Sequence, residues 1–65
     1  MDQLEFKSTA HKSNRSILVQ DNILEPELTQ IYVYGHNGME LASSINKEQA
    51  IYLISWLSIK YNIPL

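Results

Sequence analysis

The chain contains no cysteine. That excludes disulfides, cysteine-based zinc sites and thiol nucleophiles together. Secreted domains of this size usually rely on disulfide staples, so the expected setting is cytoplasmic. Glycine and proline occur only twice each, which leaves no Gly-rich phosphate cradle and no flexible linker. Charge is also sparse. Five Lys and Arg face seven Asp and Glu, for a formal net charge of −2. A protein that coats DNA needs many cationic phosphate contacts, and one that imitates DNA needs far more carboxylates. General DNA binding is therefore not expected. Long apolar runs are missing as well. The richest stretch, Ala50 to Pro64, is interrupted by polar residues and is too short to span a bilayer. The opening residues, MDQLEFKSTAHK, lack the apolar centre of a signal peptide.

What is present favours folding. Leu, Ile, Val and Phe make up 19 of the 65 residues, well above the roughly 20% below which charged chains stay disordered. The length allows one domain. Domains of this size bury only about 60% of their unfolded surface. With neither metal nor disulfide, oligomerisation is the common remaining source of stability.

Four extended segments precede one helix. Leu4, Phe6 and Ser8 alternate with Glu5 and Lys7, predicting a strand over about 3–8. The polar run 8–15 reads as a loop. Ile17, Leu18 and Val19 predict a second strand over about 16–20. Residues 21–28 hold Pro26 and read as a connection, with Ile23, Leu24 and Leu28 expected to tuck it against the core. IYVYGHNGMEL predicts a hairpin of strands over about 29–35 and 39–44.

Two hairpin registers compete. A two-residue Asn37-Gly38 turn sets Val33 opposite Ala42. A three-residue loop of His36, Asn37 and Gly38 pairs Gly35 with Met39 and Val33 with Leu41. The second register is preferred, because it places Ile31, Val33, Met39 and Leu41 on one apolar face. Tyr32, Tyr34, Glu40 and Ala42 then share the other.

Asn46 with Gln49 three residues later forms a capping box, predicting a helix over about 47–61. Steps of 100° per residue gather Ala50, Leu53, Ile54, Leu57 and Tyr61 on one side. Tyr52, Trp56, Ile59 and Ile63 form a second apolar stripe far around from the first. The expected fold is α+β: a four-stranded antiparallel sheet with the C-terminal helix packed on one face, ββββα. A sheet can hide one stripe only. The second is either covered by the 21–28 connection or the C-terminal tail, or is a surface for self-association. A buried Trp contributes on the order of 150–250 Å², and aromatic anchors dominate interface hot spots. The favoured reading is a homodimer or higher oligomer through Tyr52, Trp56, Ile59 and Ile63.

Signals for chemistry are weaker. His11, Lys12 and Arg15, with neighbouring hydroxyls, suit a phosphate or carboxylate, although an ordinary solvated loop has the same composition. Tyr32 and Tyr34 could stack bases, but Glu40 nearby opposes that, and packing or a protein contact fits better. Two isolated histidines have no metal-ligand spacing. No carboxylate pair or nucleophile elbow stands out. Neither enzyme activity, metal nor cofactor is expected.

The hairpin IYVYGHNGMEL followed by INKEQAIYLISWL is similar to short phage-encoded accessory proteins. In these a late β-hairpin leads into an "EQA" helix start and a "WL" near the helix centre, matched here by Glu48-Gln49-Ala50 and Trp56-Leu57. The resemblance covers residues 31–57. It implies a non-enzymatic protein that inhibits or sequesters a host component, defence factors included, in the host cytoplasm. Self-association would use the aromatic stripe, leaving Tyr32, Tyr34 and His11 to Arg15 for the target. The alternative is oligomeric sequestration of a phosphate-bearing small molecule such as a signalling nucleotide, held by Lys12 and Arg15.

Overall fold

A computed structural model of the chain describes residues 2–9 and 14–65. Four strands are followed by one helix: β1 (Leu4–Lys7), β2 (Ser16–Asp21), β3 (Thr29–Gly35), β4 (Gly38–Ile45) and α1 (Lys47–Tyr61). The strands form one antiparallel meander in the order β1-β2-β3-β4. The class is α+β with the expected ββββα order.

Register sorts the side chains into two faces. Phe6, Ile17, Val33 and Leu41 form one cross-strand row, and Leu4, Val19, Ile31 and Ser43 form the next. Both rows lie on one face, because successive strand residues alternate sides. Glu5, Leu18, Tyr32 and Ala42 form a row on the opposite face.

The hairpin differs in detail from both registers considered. Its connection is the two-residue turn His36-Asn37, with Gly35 opposite Gly38. Gly38 has φ of 96°, a conformation that favours glycine. Met39 opposes Tyr34 instead of Gly35, and a register shift follows between Val33 and Tyr34. Glu40 is the extra residue. Beyond it the preferred pairing of Val33 with Leu41 holds. A bulge therefore takes the place of the longer loop.

The 22–28 connection is organised by Asn22. Its Oδ1 accepts from the backbone N–H groups of Leu24 and Glu25. Its Nδ2 donates to Gln30 Oε1 and Ser44 Oγ. This ties the connection to the Gln30–Ser44 row on the Tyr32 face. Leu28 is half-buried, but Ile23 and Leu24 are 85% and 90% exposed, so they do not tuck against a core. The side chain that anchors this segment is polar, and the apolar pair sits at its tip.

The lie of α1 also departs from expectation. No described residue is fully buried. Strand–strand pairs account for all the substantial contact between elements, and α1 makes only marginal contact, at most, with any strand. On the side expected to meet the sheet, Leu53 and Ile54 are 45% and 50% exposed. The radius of gyration is 13.2 Å, against about 10.7 Å for a compact chain of this length. The cause lies in the connection. Only Asn46 separates β4 from α1, and it is extended with both sides of its capping box formed. Connections that return a helix onto its sheet commonly take 2–6 residues. One locked residue gives α1 no slack to fold back.

Candidate functional site

The largest chemically distinctive feature is apolar surface, and α1 carries much of it. Tyr52, Trp56 and Ile59 project on one side, with Trp56 59% and Ile59 83% exposed. Tyr52 is steadied by its hydroxyl, which donates to Glu48 Oε1 at 2.8 Å one turn earlier. Lys60 Nζ sits 5.0 Å from the Trp56 ring centroid and 5.2 Å from that of Tyr61. These cation–π contacts hold the rings while leaving them accessible. Tyr52, Trp56 and Ile59 all remain exposed, so no other described segment encloses this stripe.

Ile63 does not continue the stripe. The helix closes at Asn62, which is left-handed with φ of 54°, and Ile63 N–H donates back to Ser58 O at 2.9 Å. Ser58 Oγ in turn donates to Ile63 O. This closure turns the chain back, so that Ile63 and Leu65 line a shallow cleft of 160 Å³ with Ile54, Leu57 and Ser58. Ile63 thus belongs to the Leu57 side, because a left-handed cap breaks the 100° progression. The cleft has no titratable side chain to serve acid–base chemistry.

The sheet adds a second apolar region. Leu4, Phe6 and Leu41 are exposed on the face that also carries the half-buried Ile17, Val19, Ile31 and Val33. Residue patterning assigned this face to the helix and so missed it as open surface. The signal was available in the short distance between Ile45 and the cap at Asn46.

Of the polar candidates, His11 and Lys12 lie outside the described residues. Arg15 is already engaged. Its Nε donates to Glu40 Oε2 at 2.8 Å, and a guanidinium nitrogen donates to Glu40 Oε1 at 3.3 Å. The Glu40 hydrogen bond, and then its charge, raises the Arg15 pKa above the ordinary value. Glu40 reaches Arg15 by crossing Gly35, where a side chain would collide with its carboxylate. The bulge aims Glu40 this way instead of beside Tyr34. Asn14 Nδ2 lies 2.9 Å from His36 Nε2, closing the same end of the sheet. Tyr32 and Tyr34 are half-buried neighbours, with ring centroids 5.8 Å apart and tilted by 37°. They pack on each other along the strand, and the structure does not bring them together with Arg15 into one cationic pocket.

Among the described residues, no group of three or more His, Asp or Glu side chains gathers to hold a metal ion. Among them, too, no helix is long and apolar enough to cross a membrane. Comparison with protein-family models, curated proteins and solved structures finds no match for the chain.

Proposed function

We propose that this chain is a small non-enzymatic binding protein that works as a homo-oligomer and acts by occupying the surface of a host component, in the manner of a phage accessory protein. The observation that carries the self-association is the exposure of Tyr52, Trp56 and Ile59 on a helix that no strand covers. A chain of 65 residues without cysteine has few other ways to remove such surface from water. The action on a host component is supported by the resemblance over residues 31–57. Tyr32 and Tyr34, half-buried on the opposite sheet face, remain for the target.

Sequestration of a nucleotide-like ligand is the weaker reading, since the Arg15 guanidinium it needs is paired with Glu40.

Light scattering tests the first part. The wild-type chain should have a solution mass of at least twice 7.5 kDa, and Trp56→Glu should lower it. A wild-type monomer at micromolar concentration would sink the proposal. For the target, Tyr32→Ala/Tyr34→Ala should keep the assembly mass while abolishing capture of a host protein that the wild type retains stoichiometrically.

A further inference from the structure

We propose that two copies of this chain exchange helices, with the Leu53–Ile54–Leu57 side of each α1 lying across the Phe6–Ile17–Val33–Leu41 face of the other copy. The inference rests on the homo-oligomer reading and concerns a contact separate from the Tyr52–Trp56–Ile59 stripe, on the Leu53–Ile54–Leu57 side of α1.

Two complementary apolar surfaces exist in one chain and do not meet within it. The first is the exposed side of α1 bearing Leu53 and Ile54, with the half-buried Leu57. The second is the open sheet face bearing Leu4, Phe6 and Leu41 around Ile17, Val19, Ile31 and Val33. Stable domains place at least two layers around one core, and this chain presents a sheet and a helix that are not layered. Their sizes agree. A helix of 15 residues is about 22 Å long, and four strands spaced about 4.8 Å apart span about 14 Å.

The connection explains why the second layer comes from elsewhere. Asn46 alone joins β4 to α1, and its reciprocal bonds with Gln49 fix the exit of the helix. Short hinges that prevent a segment from closing on its own domain are a recognised route to exchange between identical chains. A reciprocal exchange is isologous, so it closes as a two-fold dimer and leaves no open end.

The surface area points to the same occupant. The chain exposes 5715 Å². A compact folded monomer of this mass exposes roughly 4,200 Å². The excess is about 1,500 Å² per copy, or about 3,000 Å² for a pair, which falls within the range of obligate dimers. A foreign partner covering only the helix would leave the sheet face open. A second copy covers both at once.

Absence of cysteine makes the test clean. A panel of double variants pairs Ile31→Cys or Val33→Cys with Leu53→Cys or Leu57→Cys, alongside each single variant. Mild oxidation should give a covalent dimer from at least one double variant and none from the singles, read on a non-reducing gel. An internal disulfide in a monomeric product would overturn the proposal. So would failure of the whole panel to cross-link while the wild-type mass remains dimeric.

An insertion variant guards against unfolding caused by the core substitutions. Five Gly and Ser residues placed between Ile45 and Asn46 should let α1 close on its own sheet. The mass should then halve, with helicity by circular dichroism retained. An insertion variant that stays dimeric would refute exchange while leaving self-association through the aromatic stripe standing. A monomeric wild type would instead remove the oligomer reading itself, and exchange with it.

Discussion

Asn46 and Gln49 bond to each other twice. The Asn46 side-chain oxygen accepts from Gln49 N–H at 2.8 Å, and the Gln49 side-chain oxygen accepts from Asn46 N–H at 3.0 Å. Two donors left open by the start of α1 are thereby satisfied. The same pair determines how the chain leaves β4. Asn46→Ala should destabilise the protein by about 1 kcal/mol, measured by urea denaturation, with loss of helical signal before loss of sheet. An unchanged midpoint would show that assembly, and not the cap, holds this junction.

Gly38 and Gly35 respond differently to the same substitution. Gly38 has φ of 96° with open space around it. Alanine there is strained by the backbone alone, and Gly38→Ala should cost about 1–2 kcal/mol. Gly35→Ala instead meets the end of the flexible Glu40 side chain. It should displace the carboxylate from Arg15 at a smaller cost. Thermal melts of both variants would rank them, and the reverse order would contradict this account of the turn.

The Arg15–Glu40 pair should matter little at high salt. Both side chains are substantially exposed, and at about 1 M salt the screening length is about 3 Å. A double-mutant cycle with Arg15→Ala and Glu40→Ala should therefore show a coupling that shrinks from low to high salt. The raised Arg15 pKa sets the direction with pH. Its stabilising contribution is fully present below the ordinary arginine value and is lost only as pH rises through the still higher folded value. No loss traceable to Arg15 should appear between about pH 6 and about pH 9, far below the ordinary arginine range. A coupling that titrates in that interval would point to another group.

Trp56 is the only tryptophan, so fluorescence reports directly on the α1 stripe. In a single chain Trp56 is 59% exposed. If self-association covers it, the emission should be blue-shifted and poorly quenched by acrylamide at high protein concentration. Both properties should revert on dilution. Emission at the fully hydrated wavelength at all concentrations would argue that the stripe stays open in the assembly.

The elements themselves could be read from residue order. Alternation of Leu4 and Phe6 with polar neighbours and the apolar run Ile17 to Val19 mark strands, and the Asn46–Gln49 spacing marks the helix start. These signals act over a few residues and need no partner elsewhere in the chain. Tyr52, Trp56 and Ile59 were recognisable for the same reason, since helical periodicity alone groups them. The extra residue at Glu40 was not recognisable. Its bulge depends on what lies across the strand, a glycine that lets a carboxylate pass and an arginine 25 positions away to receive it.

The position of α1 belongs to the same category. An apolar stripe states that a helix wants cover, but not which surface supplies it. That depends on reach, and reach is set by Asn46 as the sole connecting residue and by the direction its bonds impose. Short-range chemistry thus chose the strands, the helix and the polar caps. The separation of the helix from its own sheet came from long-range geometry, because burial is non-directional while a one-residue connection is not.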